Sequence, residues 1–379
     1  MKRLGWIFVC ISLLLGLLPF SAKAANLEAK SALLMDVATG TVLYEQNSHE
    51  PLAPASVTKV MTMLLIMEAI DSRIISWSDM VTASEEAAAK GGSQVFLKVG
   101  ESMCVEDMVK SIAVSSANDC ACAMAEHLAG SEAAFVDTMN ARAKELGMED
   151  THFVNCTGLD DGEDAASHRT SAHDIAIMSR ELLKNHPDIT KFTTIWMDTI
   201  RNGEFGLSNT NKMVRFYNGC TGLKTGFTRG AGYCLSASAE REGLQLIAVV
   251  MGCETSQKRF TACKSMLDYG FANFALVEPE IPAETSVPVK LGVVDSVTAI
   301  PTKDGKMLID KGQKSSVTTE VQLEPEVIAP VSKGQRLGTM TVKAGEQILA
   351  QIPMVAESGV EKLTWWQMYL RLLRKICMK

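Results

Sequence analysis

The sequence lacks any long basic run in the body of the chain, and its 37 lysines and arginines are outnumbered by 44 acidic residues. The resulting formal charge of −7 makes nucleic acid a poor candidate partner, because binding to a phosphate backbone needs a basic surface. Hydrophobic residues, in contrast, make up 47% of the 379 positions. This composition excludes a disordered protein and leaves room for one large domain and one small one.

The sequence also has no Cys-x-x-Cys motif, although it contains ten cysteines, of which Cys10 lies in the N-terminal segment. The only close pair, Cys120 and Cys122, falls on a predicted helix, where residues i and i+2 point apart. These two therefore do not form a zinc site together. Without Cys10 an odd number of cysteines remains, so at least one of them is unpaired. We expect these cysteines to act as small buried hydrophobic residues. The remaining cysteines are Cys104, Cys120, Cys122, Cys156, Cys220, Cys234, Cys253, Cys263 and Cys377.

Residues 1–24 have the pattern of a removable signal peptide. Lys2 and Arg3 precede an apolar stretch at residues 6–18, and Ala-Lys-Ala at residues 22–24 supplies the small residues of a cleavage site. The apolar stretch is short for a membrane span, which favours cleavage over an uncleaved anchor. We therefore expect an exported, extracytoplasmic protein.

Hydrophobic periodicity predicts a domain at residues 26–278 that combines a sheet with helices. Apolar runs at residues 31–36 and 41–46 predict a hairpin, and residues 218–252 predict another. The nearly continuous apolar stretch at residues 57–70 predicts a buried helix, and the alanine-rich region from 84 to 184 predicts a helical subdomain. Early and late strands with helices between them indicate one α/β (α+β) domain whose sheet is closed by sequence-distant strands.

The remainder of the chain predicts a small domain and a tail. Glu-Pro-Glu-Ile-Pro within residues 277–282 is typical of a linker, and short alternating segments at residues 282–356 predict a small all-β domain. Residues 361–379 predict an amphipathic helix suited to an anionic membrane surface, with a helix that caps the β domain as the alternative. Its apolar half contains Leu363, Trp366, Tyr369, Leu370, Leu373, Ile376 and Cys377, and its basic half Arg371, Arg374, Lys375 and Lys379.

The first of three motifs suited to catalysis is Ser56-Val-Thr-Lys59, which opens the predicted buried helix. Spacing i and i+3 brings the Lys59 amine towards the Ser56 hydroxyl. A lysine in a desolvated site has a lowered pKa and can serve as a general base. Ser-x-x-Lys also arises by chance, and Ser56 could equally be a plain N-cap.

The second and third motifs are Ser116-Ala-Asn118, in a predicted turn between helices, and Lys224-Thr225-Gly226, on a predicted strand. A hydroxyl and an amide in a turn can relay a proton and hold a substrate carbonyl or amide; a helix cap is the alternative. A cation and a hydroxyl on a strand can face an anionic substrate. Glycine at 226 then lets the substrate backbone approach the strand edge, and an ordinary exposed strand end is the alternative.

The three motifs, in this order and at these separations, resemble those of the serine penicillin-recognising enzymes. Over about residues 26–271 the chain is similar to the low-molecular-mass penicillin-binding proteins that act as D-alanyl-D-alanine carboxypeptidases, in a vegetative or sporulation branch. The resemblance implies a penicillin-binding/β-lactamase-like transpeptidase domain with a helical subdomain, a small β domain and an amphipathic tail. Further matching segments are Lys90-Gly-Gly-Ser93, Phe96-Leu-Lys-Val-Gly-Glu101, Asn155-Cys-Thr-Gly-Leu159, Gly222-Leu223 and Asp268-Tyr-Gly-Phe271.

The resemblance also implies a role for each motif residue. Ser56 would attack the carbonyl between two D-alanines to form an acyl-enzyme, with Lys59 as proton acceptor. Ser116 would pass the proton to the leaving amine, and Asn118 would hold the acyl side. The expected substrates are peptidoglycan stem peptides ending in D-Ala-D-Ala, the expected inhibitors are β-lactams, and neither a cofactor nor a metal is expected.

The remaining implied roles concern the substrate's terminal carboxylate and the oxyanion. Lys224 and Thr225 would bind the carboxylate, with Arg259 on the following helix as a further carboxylate-binding residue. The backbone N–H groups of Ser56 and Phe227 would form the oxyanion hole. Such a protein would lie at the outer face of the bacterial cytoplasmic membrane, attached peripherally through its tail.

Three other functions share some of these features. A class A β-lactamase needs a Glu-x-x-Leu-Asn segment that is missing between the second and third motifs, where Glu149 and Glu163 stand in other contexts. A DD-endopeptidase would use the same residues, and a silent wall-binding scaffold would not need to retain them. His168 and His173 are assigned to a solvated loop followed by a helix start, not to a metal site.

Overall fold

The computed structural model describes residues 27–377, except 161–163, 283–284 and 303–304. The expected signal peptide and Glu163 lie outside the described residues. Among the described helices, none is both long enough and apolar enough to span a membrane.

A five-stranded antiparallel sheet in the order β2-β1-β9-β8-β7 forms the centre of the first domain. Strand β1 pairs with β9, more than 200 positions later, so sequence-distant strands do close the sheet as predicted. Both predicted hairpins are present, as β1–β2 and β8–β9. With strands numbered in chain order, the bounds are β1 Ser31–Asp36, β2 Val42–Gln46, β7 Cys220–Thr228, β8 Gly232–Arg241 and β9 Leu244–Cys253.

Helices cover both faces of this sheet, which explains why its central strands are apolar at nearly every position. In β9, Ile247 and Val249 belong to one hydrophobic cluster, whereas Leu246 and Ala248 belong to another. Successive side chains of a strand point to opposite faces, so both faces must be covered. Helices α1 Lys59–Asp71 and α6 Ala172–Asn185 cover the first face, and α9 Ser256–Asn273 covers the second.

The predicted helical subdomain is interrupted by strands and by irregular segments. Ser84, Ser131 and Ser171 each accept a hydrogen bond from a backbone N–H of the following helix, which fixes where those helices begin. The remaining elements of this domain are β3 Met80–Thr82, α2 Glu85–Ala89, β4 Ser102–Cys104, α3 Val105–Ser115, α4 Asn118–Ala129, α5 Glu132–Glu145, α7 Thr190–Thr193, β5 Met197–Ile200, β6 Phe205–Ser208 and α8 Met213–Phe216.

The C-terminal part is all-β, as predicted, with a sheet in the order β14-β16-β17-β12-β11-β15. Strand β10, which directly follows α9, pairs with β13 in a separate two-stranded sheet. The strands are β10 Phe274–Val277, β11 Ser286–Lys290, β12 Ser296–Pro301, β13 Met307–Asp310, β14 Val317–Leu323, β15 Val327–Ile328, β16 Arg336–Ala344 and β17 Gln347–Ala356.

The final helix, α10, spans Trp365–Cys377 and so begins four residues later than predicted. Thr364 and Gln367 form a reciprocal capping arrangement: the Gln367 N–H donates to Thr364 Oγ1, and the Thr364 N–H donates to Gln367 Oε1. Upstream of this cap, Leu363 donates its N–H to Leu291 O and so belongs to the β domain.

Candidate active site

Ser56 and Lys59 lie at the start of α1, where a short 3-10 turn over Ala55–Thr58 leads into the helix. The Lys59 Nζ donates to Ser56 Oγ at 3.0 Å and to Thr157 O at 2.8 Å. Lys59 is fully buried, and desolvation lowers its pKa to about 7. At neutral pH part of the population therefore has an uncharged Lys59 amine, which can accept a proton.

The segment around Thr157 is fixed by its own side chains. Asn155 Oδ1 accepts hydrogen bonds from the N–H groups of Thr157 and Gly158, at 3.1 Å and 2.7 Å. Thr62, on α1, donates its hydroxyl to Cys156 O at 2.7 Å. These contacts aim the Thr157 carbonyl at Lys59, which positions the amine next to the Ser56 hydroxyl.

His168 is buried and hydrogen-bonds to the turn that contains Ser56, so its assignment to a solvated loop is wrong. It is only 3% exposed, and its Nδ1 accepts from the Val154 N–H, so its Nε2 donates to Thr58 Oγ1 at 2.7 Å. Thr58 in turn donates to Ala55 O. Burial lowers the pKa of His168 to about 4, so the ring is neutral. His173 is partly exposed within α6, as predicted for a helix start.

The turn between α3 and α4 carries Ser116 and Asn118. Ser116 is buried in the left-handed conformation at φ +63°, which ends α3 and reverses the chain. Asn118 Nδ2 donates to Gly91 O at 2.7 Å, while its Oδ1 is buried without a hydrogen-bond partner among the described residues. Buried amide oxygens are normally paired, so this oxygen is an acceptor available to a bound amide.

The third motif lies on β7, beside the Ser56 turn. Lys224 is 1% exposed, and its pKa is well below the usual value, mainly because of burial and then because of the charges of Lys59 and Arg259. A side chain at Gly226 would place its Cβ 2.6 Å from Pro54 O and 3.1 Å from the Ser56 N. Glycine is therefore required for β7 to approach the turn this closely.

Phe227, directly after the third motif, and Arg259, on α9, have different surroundings. Phe227 is 51% exposed and stacks on Tyr233 with 4.3 Å between ring centroids. Arg259, in contrast, is buried, and its Nη1 donates to Gly226 O at 3.0 Å and to Cys234 O at 3.3 Å. Its observed contacts therefore brace the backbone of β7 and β8, and its expected contact with a carboxylate stays a prediction.

Thr210 links the third motif to the end of α3, two residues before the second motif. The Thr210 N–H donates to Val114 O at the end of α3, and Thr210 Oγ1 accepts from Thr225 Oγ1 at 2.7 Å. The first and third motifs are close as well, since a Cβ at Gly226 would lie 3.1 Å from the Ser56 N. The structure thus brings the three motifs of the sequence together at one site.

Several supporting residues were missed by reasoning from sequence. Asn155 and Thr157 belong to one of the segments that carry the family resemblance, but the resemblance implies no role for either residue. Thr210 carries no sequence signal, and the sequence does not show the role of His168, because the partners of both residues are remote in sequence. Glu149, considered as a β-lactamase glutamate, is exposed in a turn after α5, with its N–H bonded to Gly147 O.

Comparison with known proteins shows the family to which this chain is similar. Residues 19–255 match the D-alanyl-D-alanine carboxypeptidase family, and residues 277–362 match the C-terminal domain of penicillin-binding protein 5. The D-alanyl-D-alanine carboxypeptidase DacF of Bacillus subtilis is 44% identical over 341 residues, which cover 88% of this chain and 86% of that protein. DacC of Escherichia coli is 34% identical over 355 residues, covering 90% and 86%.

A solved structure of penicillin-binding protein 5 from Haemophilus influenzae has the same architecture. It superimposes with a TM-score of 0.76 at 30% identity and covers 89% of this chain and 98% of that one. This likeness confirms the predicted fold, including the all-β domain. The chain belongs to the D-alanyl-D-alanine carboxypeptidase family of serine hydrolases.

Proposed function

We propose that this protein removes the terminal D-alanine from peptidoglycan stem peptides through an acyl-enzyme on Ser56. The observation that carries the proposal is the 3.0 Å contact between Ser56 Oγ and the amine of the fully buried Lys59. A neutral amine at that distance can take the hydroxyl proton as the oxygen attacks. The partial exposure of Ser56 leaves room for a substrate carbonyl.

Acylation begins when Ser56 Oγ bonds to the carbonyl carbon between the two D-alanines and its proton moves to Lys59 Nζ. The backbone N–H groups of Ser56 and Phe227 stabilise the oxyanion. Ser116 then gives its hydroxyl proton to the departing amine and takes the proton held by Lys59, the C–N bond breaks, and D-alanine leaves. Water afterwards attacks the ester and gives a proton to the neutral Lys59 amine, which passes it to Ser56 Oγ as the C–O bond breaks, and this restores Ser56.

Two parts of the site hold the substrate on either side of the scissile bond. Asn118 Oδ1, buried and without a partner among the described residues, accepts a hydrogen bond from a substrate amide. On the other side, Lys224 and Thr225 bind the terminal carboxylate. The approach of a carboxylate favours the charged amine and so raises the pKa of Lys224 towards its usual range. The site therefore selects peptides with a free C-terminus.

The same serine is proposed to be acylated by penicillins, whose strained amide and carboxylate occupy the positions of the scissile bond and the terminal carboxylate. The ester with a penicillin is expected to persist, because the site has no glutamate placed like that of a class A β-lactamase among the described residues. Glu149, the one described candidate, is exposed in a turn.

Labelling with a fluorescent penicillin tests the nucleophile directly. The full chain should become covalently labelled, with a mass increase located on the peptide that contains Ser56. Ser56→Ala deletes one half-buried hydroxyl and should abolish labelling without changing the melting temperature by more than a few degrees. Ser72→Ala, at the other end of α1, is the matched control and should label normally. A retained adduct in Ser56→Ala would refute the assignment.

We also propose that the exported protein is held peripherally at the outer face of the cytoplasmic membrane by α10. Arg371 donates to Gly292 O at 3.1 Å and contacts Asp295, so this side of the helix faces the β domain. Trp365 and Trp366 are 74% and 62% exposed, and Tyr369 stacks on both. Exposed aromatic rings on a basic helix suit the interface of an anionic bilayer.

Truncation after Thr364 tests this attachment, because it removes α10 and leaves the pairing of Leu363 with Leu291 intact. The truncated protein should no longer sediment with phosphatidylglycerol vesicles and should keep full activity on a soluble peptide. Salt alone should release the full-length protein only in part, since apolar burial is not screened. Continued sedimentation of the truncated form would show that α10 is not the anchor.

A further inference from the structure

A cluster of thiols and carboxylates lies next to the proposed active site and has no part in the proposed reaction. Cys122 on α4 and Cys156, in the segment after α5, are fully buried, and Glu132 at the start of α5 is 9% exposed. The Cys156 Sγ lies 3.1 Å from Glu132 Oε1, and the Cys122 Sγ lies 4.0 Å from Glu132 Oε2. Glu86 on α2 completes the group, and the ligand atoms of Glu86, Cys122 and Glu132 lie within 4.8 Å of one another.

We propose that Cys122, Cys156, Glu132 and Glu86 form a binding site for a zinc-class divalent cation. Two sulfur and two oxygen atoms suit tetrahedral zinc, whose ligand atoms lie about 3.3–3.8 Å apart when Zn–O is about 2.0 Å and Zn–S about 2.3 Å. The observed separations of 3.1 Å and 4.0 Å bracket that range. Cys156 reaches the group through Glu132 Oε1, whereas the ligand atoms of the other three residues lie within 4.8 Å of one another, so side-chain rotation has to bring all four onto one ion.

The ammonium group of Lys90 already supplies a cation to this cluster. Its Nζ lies 2.5 Å from Glu132 Oε2 and 3.1 Å from Glu86 Oε1. Lys90 follows α2 directly and its side chain is 21% exposed, while that of Glu86 is 60% exposed. A metal ion can therefore enter from this side, displacing an ammonium group on a flexible stem.

The four ligands come from three helices and one irregular segment, which is why the spacing of Cys120 and Cys122 gave no sign of them. Residues i and i+2 of a helix point apart, whereas the fold brings Glu132 to Cys122 and Cys156 to Glu132. The site adjoins the proposed catalytic machinery, because Cys156 directly precedes Thr157, whose carbonyl holds Lys59.

Calorimetric titration of the reduced full-length chain with Zn²⁺ tests the proposal. We expect one equivalent of Zn²⁺ to bind. Cys122→Ala, Cys156→Ala and Glu132→Gln should each weaken the affinity at least tenfold, because mutation of residues that only support metal ligands already costs about tenfold or more. Lys90→Gln removes the competing ammonium group and should tighten binding. If Lys90 only forms structural ion pairs with Glu132 and Glu86, none of these proteins should bind zinc.

Cys263→Ala is the matched control, because Cys263 is equally buried but lies in α9 on the other face of the sheet. Its affinity for Zn²⁺ should equal that of the unaltered chain. Glu132→Gln keeps the site testable if a cysteine variant fails to fold. Unchanged affinity in Cys122→Ala and Glu132→Gln, or weaker binding in Lys90→Gln, would overturn the proposal. None of these outcomes depends on Ser56.

Discussion

The amine of Lys59 and the carbonyl oxygen of Thr157, 98 positions later in the chain, are joined by a 2.8 Å hydrogen bond. This contact leaves the Lys59 amine pointing at Ser56 and not into the hydrophobic core around α1. Asn155 and Thr62 fix the carbonyl in turn. The reactivity proposed for Ser56 therefore depends on a segment that contains none of the three sequence motifs.

The rate of acylation by penicillin should increase with pH through about 7, because only the uncharged Lys59 amine accepts the Ser56 proton and its pKa is about 7. Stopped-flow measurements between pH 5.5 and 9 check this. Lys59→Ala should lower the rate by several orders of magnitude and remove the inflection. A rate that does not change across pH 7 in the unaltered protein would rule out Lys59 as the base.

Burial of Lys59 should also make folding stability depend on pH. Its folded-state pKa of about 7 is below the usual value of 10.5, so between these values the unfolded chain binds a proton that the folded chain does not. Stability therefore rises with pH across this window. Lys59→Met should melt a few degrees above the unaltered protein at pH 7, and the difference should shrink towards pH 10. A constant difference would contradict this explanation.

Lys224→Gln should lower kcat/KM on peptides ending in D-Ala-D-Ala by well over tenfold, because a buried amine that binds a carboxylate contributes more than an exposed charge, which is worth about 1 kcal/mol at most. Lys212→Gln is the matched control, since Lys212 is exposed in the approach to β7. Equal activity of the two variants would move the carboxylate site elsewhere, with Arg259 as the first candidate.

Gly158→Ala should nearly abolish acylation, because a Cβ at this position would lie 1.9 Å from Ala55 O and would push the Ser56 turn away from Lys59. Gly130→Ala is a close control: its φ of +81° matches the +82° of Gly158, but nothing lies within 4 Å of the added carbon. Both should lose some thermal stability through backbone strain. Comparable loss of acylation in both variants would show that strain, not the clash, is responsible.

Much of the fold could be read from local sequence patterns. Alternation and turn residues predicted the hairpins β1–β2 and β8–β9, and the apolar stretch after Ser56 predicted the buried helix α1. The predicted start of α10 was four residues too early. Thr364 and Gln367 cap the helix through hydrogen bonds, and hydrophobic periodicity carries no information about such bonds.

The sequence by itself determined the three motifs and their chemistry, because residue type and spacing along a helix or strand are local properties. Only the tertiary structure decided what surrounds them. The lowered pKa of Lys59 comes from burial and the neutral state of His168 from the same cause. Cys156 meets Glu132 only because α5 and the following segment fold back together. Burial and contact between remote segments are properties of packing, and no spacing within a local motif encodes them.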